Sequence, residues 1–114
     1  MERSDFEVEV KLIIKNKNVE AHGAAMGRGI VSLCRLVDKT GSLNKAAHEM
    51  GMAYSKAWSI IKKTEESFGF PLLHRKGNKG SELTPEGRQA VAVYEELQKS
   101  LDQEAAGLLE NLLP

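Results

Sequence analysis

A row of polar side chains lies on one face of a predicted helix near the middle of the chain. The row contains Ser55, Lys56, Ser59, Lys62 and Lys63. Hydroxyl and ammonium groups donate hydrogen bonds to base edges and phosphates, and the DNA major groove, about 12 Å wide, admits one helix. An ordinary solvated helix face is the commoner origin of exposed lysines. The row therefore indicates nucleic-acid contact only if the neighbouring elements present it.

The segment around this row has the pattern of a helix-turn-helix. One short helix is predicted over residues 43–50 and a longer one from about residue 53 to residue 68. Such a motif needs a small residue where the helices cross, a turn residue that tolerates positive φ, and apolar residues beneath the second helix. These positions are held by Ala47, Gly51, Ala57 and Ile60. The spacing predicts a helix-turn-helix whose second helix carries the polar row.

The sequence PLLHRKGNKGSELT, which follows the third helix, predicts a β-hairpin with two glycines in its loop. Its tip carries Arg75, Lys76 and Lys79. A hairpin behind a helix-turn-helix is a wing, whose glycines let the backbone approach phosphates and whose cations neutralise them. Helix, turn and hairpin together favour a nucleic-acid partner over a merely solvated face.

The chain begins with an alternating apolar and polar pattern over residues 7–14, which predicts a half-buried strand. The turn-forming KNKN follows, and residues 19–22 are expected to return as a short second strand. Residues 28–39 then carry apolar residues at helical spacing and end before Gly41, which predicts the first helix.

The last predicted helix starts at Thr84-Pro85 and runs almost to Leu113. Its apolar residues recur at intervals close to a heptad. The residues assigned to dimerisation are Tyr94, Leu97, Leu101, Ala105, Leu108 and Leu112. A helix of this length exceeds what so small a domain can cover, so we expect the same helix of a second copy to cover it. The alternative is that the end frays after Gly107 or folds back on its own core.

Composition narrows the function classes. The 114 residues carry no net formal charge, but residues 27–88 hold eleven Lys/Arg against six Asp/Glu, and the flanks hold the reverse excess. A basic central segment fits a polyanionic partner. No stretch approaches the ~20 apolar residues of a membrane span. Because Cys34 is the only cysteine, no internal disulfide can form, and we expect a cytoplasmic protein.

Neither catalysis nor metal binding is expected. The three histidines and Cys34 show no metal-ligand spacing. No nucleophile motif and no phosphate or dinucleotide loop occurs. We therefore expect no enzyme activity, no catalytic residues, no metal and no cofactor.

The segments GSLNKAAHEMGMAYSKAW (41–58) and G…LTPEGR (80–88) resemble the N-terminal DNA-binding domain of the molybdate-responsive, ModE-type regulators, relatives of the LysR-type winged helices. With the flanking elements, the resemblance covers nearly the whole chain. It implies sequence-specific binding of double-stranded DNA by a homodimeric transcription regulator. By the same resemblance, Tyr54, Ser55, Lys56 and Ser59 face the groove, and residues 75–80 form the wing.

Two departures from the family pattern affect these expectations. Ala53 stands where the family often has a Ser or Thr that caps the recognition helix, an interaction of about 1 kcal/mol. The family's oxyanion-sensing domains would follow this module, whereas the sequence ends at Pro114. We therefore expect molybdate and tungstate not to bind this chain directly.

The predicted fold is mainly α (α+β): a single winged helix-turn-helix domain over residues 1–114, with a core at 25–84 and a C-terminal dimerisation helix at 85–113. An N-terminal strand or hairpin precedes it. The expected DNA-contacting residues are Lys45, Tyr54, Ser55, Lys56, Ser59, Lys62, Arg75, Lys76, Asn78 and Lys79. Trp58 is expected in the core, packing the recognition helix against the N-terminal region. Two alternatives stay open: a dimeric winged-helix adaptor that binds protein without reading DNA, and a small oxyanion-binding protein.

Overall fold

The computed structural model describes residues 2–19, 24–77 and 80–113. The elements of this part of the chain are a 3-10 turn (Arg3–Asp5), helices α1 (Arg28–Thr40), α2 (Leu43–Glu49) and α3 (Tyr54–Phe68), strands β1 (Leu73–Arg75) and β2 (Ser81–Leu83), and helix α4 (Pro85–Leu112). Strands β1 and β2 pair antiparallel, with Leu73 opposite Leu83 and Arg75 opposite Ser81. This element order confirms the predicted winged helix-turn-helix with a long C-terminal helix.

Glycines and hydroxyl residues set the helix ends as the sequence predicts. Gly41 and Gly69 follow α1 and α3 with φ of 75° and 80°, a left-handed conformation that glycine adopts at little cost. The Ser42 hydroxyl accepts from the Lys45 amide at 3.1 Å at the start of α2. Thr84 Oγ1 accepts from the Gly87 amide at 2.9 Å at the start of α4. Both side chains satisfy amides that the first helical turn leaves unpaired.

The core lies between the first three helices, the wing base and the first turns of α4. Its buried residues include Leu33, Cys34, Val37, Ala46, Ala57, Ile61, Leu72 and Val91. Cys34 is 1% exposed, and burial raises the pKa of its thiol to about 12. It is a small apolar core residue, as its place on the α1 stripe predicts.

The N-terminal segment departs from prediction. Alternate residues from Val10 to Ile14 are half-buried, as expected, but the segment is not a regular strand. Among the described residues it pairs with backbone only at Ile14 and Met26, whose amides and carbonyls exchange hydrogen bonds of 2.9 and 2.8 Å. Residues 20–22 of the predicted return strand lie outside the described part of the chain. The alternation correctly predicts that one face of this segment is covered, but the covering element is a helix and not a second strand.

Helix α4 is the surface against which this segment packs. The Tyr94 hydroxyl donates to the Leu12 carbonyl at 3.0 Å, and Gln98 Nε2 donates to the Val10 carbonyl at 2.9 Å. Because these side chains bind carbonyls that a second strand would otherwise occupy, the segment is held extended without a sheet.

The dimerisation residues assigned from the sequence divide into two groups. Tyr94 is 4% exposed within its own chain, so its assignment to a dimer surface is wrong. Ala105 is half-buried. The four leucines of the set remain exposed: Leu97, Leu101, Leu108 and Leu112. Helix α4 continues unbroken through Gly107 to Leu112, so it does not end early as the alternative required.

The wing is fixed to the body of the domain at two close approaches. The Ser81 amide donates to the Gly41 carbonyl at 2.9 Å, and a Cβ on Gly80 would lie 2.1 Å from that oxygen. A Cβ on Gly87 would lie 2.4 Å from the Leu72 carbonyl oxygen. Glycine is therefore required at both contacts, and the hairpin is seated on the joint between α1 and α2.

Candidate nucleic-acid interface

The turn between α2 and α3 has the predicted geometry. Ala47 is 1% exposed at the helix crossing, and Gly51 has a φ of 68°. The amides of Gly51 and Met52 donate to the carbonyls of His48 and Ala47, both at 3.0 Å. The first residues of α3 that follow this turn, Tyr54 and Ser55, are exposed.

The outer face of α3 is open to solvent along the whole predicted row. Its exposed residues are Tyr54, Ser55, Lys56, Ser59, Lys62 and Lys63. Lys45 of α2 is exposed as well. Ala53 precedes α3 without a side-chain cap, as its residue type predicts, so the first amides of α3 receive no side-chain oxygen. Donors at a helix start suit an anion such as a phosphate.

Two of the basic residues predicted on the wing have different partners. Arg75 Nη2 lies 3.5 Å from the hydroxyl of Tyr54 on α3. Lys76 Nζ instead lies 2.9 Å from Glu82 Oε2, and His74 Nε2 bonds to the other carboxylate oxygen, Oε1. The bond from Lys76, which has the larger effect, and the bond from His74 hold the pKa of Glu82 below its usual value. Lys76 is thus partly neutralised, and Asn78 and Lys79 lie outside the described residues.

Ion pairing separates the basic residues of the central segment into two sets. Three arginines away from α3 pair with carboxylates: Arg28 with Glu9 at 3.4 Å, Arg88 with Asp38 at 2.7 Å, and Arg35 with Glu95. Within the described ranges, no carboxylate lies within 4 Å of the charged groups of Lys45, Lys56, Lys63 and Arg75. The uncompensated positive charge of this segment therefore includes the α2–α3–wing face.

Trp58 is half-buried and packs against the core, and the wing residue Arg75 lies over its ring. Lys62 Nζ lies 4.6 Å from the ring centroid and Arg75 Cζ lies 5.7 Å from it. Both distances are within the range of cation–π attraction. The four-residue spacing of Trp58 and Lys62 on a helix could have indicated the first contact, but the second depends on the wing's seating.

A cleft of about 500 Å³ opens between the start of α2, the start of α3 and the wing. Its polar lining includes Ser42, Asn44, Tyr54, Arg75 and Ser81. Ser42, Asn44 and Ser81 are not among the DNA-contacting residues expected from the sequence. No local sequence pattern brings residues 42 and 81 together.

Comparison with known protein families agrees with this geometry. The profile of the bacterial regulatory helix-turn-helix proteins of the lysR family matches residues 31–88, from α1 into α4. The match covers just over half of the chain and includes the whole helix-turn-helix and wing. The chain belongs to the lysR family. The helix-turn-helix of this family is a DNA-binding element of transcription regulators, and in this chain it comprises α2 and α3.

Individual relatives confirm the resemblance to ModE-type regulators. The chain is 32% identical over 80 residues to the molybdenum-pterin-binding protein MopB of Rhodobacter capsulatus, covering 67% of this chain and 30% of that protein. It is 32% identical over 72 residues to the molybdenum transport protein ModE of Herbaspirillum seropedicae, covering 60% and 27% respectively. For ModE of Azotobacter vinelandii the identity is 30% over 89 residues, covering 71% and 33%. The chain thus spans a third or less of these relatives.

The described part of the chain holds neither a metal-binding cluster nor a membrane-spanning helix. No group of three or more His, Cys, Asp or Glu side chains there is placed to hold a metal ion. No helix there has the length and apolar character needed to cross a membrane.

Proposed function

We propose that this domain binds double-stranded DNA sequence-specifically, as a homodimeric transcription regulator of the ModE/LysR type. The observation that carries the proposal is the exposed basic face of α3 and the wing, where Lys56, Lys63 and Arg75 meet no carboxylate among the described residues. Exposed cations that have no carboxylate partner, on and beside a helix of groove-compatible diameter, favour DNA over a merely solvated role.

The two parts of this face have different tasks. Ser55, Lys56 and Ser59 lie in the first half of α3, from which side chains of a recognition helix reach base edges. Lys63 and Arg75 lie farther along α3 and on the wing, and they contact phosphates, which position the protein without reading sequence. Lys45, from α2, adds a further phosphate contact.

The homodimer is supported by the exposed leucines of α4. Leu97, Leu101, Leu108 and Leu112 are 39–76% exposed and separated by steps of four and seven residues. This spacing forms one apolar row along a helix, close to a heptad seam. A second copy of α4 presents the same row, so a two-fold pair buries both. Two-fold symmetry then predicts DNA half-sites one helical turn, ~34 Å, or a multiple of it apart.

The experiment that tests the DNA proposal is selection of random duplex DNA on the purified protein at ~150 mM salt, followed by sequencing. We expect an enriched inverted repeat. Fragments that bind without enrichment, or that do not bind, contradict the proposal and favour the protein-binding adaptor.

Three variants then assign the contacts. Lys56→Ala should reduce the free energy of DNA binding by about 1–3 kcal/mol and relax the choice of base at one position. Lys63→Ala should weaken all sequences equally and lower the slope of log affinity against log salt by about one unit. Lys11→Ala, which removes an exposed cation from the N-terminal segment, is the control and should change neither. Equal behaviour of all three variants would contradict the docking of α3.

The oxyanion-binding alternative has its own test, prompted by the molybdenum named in the relatives' descriptions. A ligand that binds the folded state stabilises it by RT ln(1 + L/Kd), where L is the free ligand concentration, and so raises the unfolding temperature once that concentration exceeds Kd. A sub-micromolar thermal response to molybdate would favour this alternative, whereas a flat titration removes it.

A further inference from the structure

Trp58 lies where the recognition helix meets the wing, and Arg75 is the wing residue that reaches it. Arg75 Cζ is 5.7 Å from the ring centroid, and Arg75 Nη2 is 3.5 Å from the Tyr54 hydroxyl. Both partners belong to α3. The guanidinium is thus placed by two uncharged groups of the recognition helix.

The other end of β1 is attached to the same helix. Glu65 Oε2 accepts from the amides of Leu72 and Leu73 at 2.7 and 3.3 Å. The wing strand is therefore fixed to α3 at its start by a carboxylate and at its end by aromatic side chains. Recognition helix and wing strand form one unit.

The choice of an aromatic partner for Arg75 has an electrostatic consequence. A carboxylate would hold the guanidinium in place and cancel its charge, as Glu82 does for Lys76 on the same hairpin. The ring face of a tryptophan attracts a cation through its quadrupole and leaves the charge intact. A free arginine side chain has many rotamers, so a pre-positioned guanidinium loses less conformational freedom when it meets a phosphate.

We propose that Trp58 is a positioning residue that holds the guanidinium of Arg75 on the DNA-facing side of the recognition helix, ready for a backbone phosphate. The inference rests on the proposed DNA binding and deepens it. Lys62 also lies over the ring, but it pairs with Glu65 at 3.4 Å, so Arg75 is the cation that the ring leaves free for DNA.

A double-mutant cycle measured by DNA affinity tests the coupling. Trp58→Leu removes the ring but keeps an apolar side chain, and we expect a loss of about 2- to 5-fold, the worth of one exposed cation–π contact. Trp58→Phe should lose less, because phenylalanine retains a weaker π-face. Once Arg75→Ala is present, Trp58→Leu should have little further effect. With Lys63→Ala, a cation on the same helix without an aromatic contact, the two losses should add.

The proposal is overturned if the affinity loss of Trp58→Leu adds to that of Arg75→Ala just as it adds to that of Lys63→Ala. The variants compared must have the urea midpoint of the wild type. A loss in Trp58→Phe as large as in Trp58→Leu would overturn it as well, because a ring would then offer no advantage.

A second measurement needs no DNA. Trp58 is the only tryptophan, so the protein's indole emission reports on this ring alone. We expect Arg75→Ala to change the emission of the free protein and Lys63→Ala to leave it unchanged. Identical spectra for the two variants contradict the contact itself. If the wild-type protein fails to bind DNA, the proposed function fails, and the spectra still decide whether Trp58 holds Arg75.

Discussion

Replacing Gly80 by alanine tests how the wing is seated. Gly80 has a φ of +108°, which side chains rarely adopt, and an added Cβ would lie 2.1 Å from the Gly41 carbonyl oxygen. The backbone strain costs about 1–3 kcal/mol. Because the contact is with backbone, the wing must shift, and the 2.9 Å bond from the Ser81 amide to the same oxygen is lost at about 0.5–1.5 kcal/mol. We expect Gly80→Ala to lower the free energy of unfolding by roughly 2–4 kcal/mol.

Gly77 is a matched control on the same hairpin. It also has a positive φ, +59°, but a Cβ there meets no atom within 4 Å. Gly77→Ala should therefore cost only the left-handed backbone term, about 1–2 kcal/mol.

Urea unfolding of the two variants beside the wild type measures this difference as a shift in midpoint at constant slope. DNA affinity should fall further in Gly80→Ala, because the displaced wing moves Arg75. If Gly80→Ala is as stable as Gly77→Ala, the close packing of the wing on the α1–α2 joint is refuted.

Three other substitutions have definite expected results. Tyr94→Phe removes the hydroxyl that donates to the Leu12 carbonyl, so the free energy of unfolding should fall by about 0.5–1.5 kcal/mol, and an unchanged urea midpoint would contradict that bond. The hydrogen bonds from Arg35 hold the pKa of Glu95 below its usual 4.5, so this pair stabilises the fold above pH 4.5 and less as pH falls through the lower folded-state value. Glu95→Gln should therefore reduce the loss of unfolding temperature between pH 5 and pH 3, and an identical pH profile would show that the pair contributes nothing. Leu101→Glu should convert the proposed dimer to a monomer in sedimentation, and a mass unchanged by this charge would place the contact elsewhere.

The helical architecture was predictable because its signals are local. Each helix end is marked by a residue that acts within one turn, such as Gly41, Ser42 and Thr84. The exposed row of α3 followed in the same way from the 3.6-residue period. These predictions need no knowledge of which elements meet in space.

What the sequence could not predict depends on contacts between distant residues. Val10 and Leu12 alternate like strand residues, and only the seating of α4 shows that side chains of a helix bind their carbonyls. Tyr94 fits the heptad as well as Leu97 does, but it is buried in the core of its own chain, where its hydroxyl binds the Leu12 carbonyl. The approach of Arg75 to Trp58 likewise spans the turn between α3 and β1. Burial and pairing at such positions are tertiary properties.

The buried thiol of Cys34 makes the protein convenient for site-selective chemistry. Alkylating reagents attack the thiolate. With a pKa of about 12, only on the order of one thiol in 10⁵ is ionised at pH 7, and the side chain is 1% exposed. A cysteine introduced on the wing could thus carry a fluorophore without replacement of the native one. The slow labelling of Cys34 itself would time the opening of α1 from the core under native conditions.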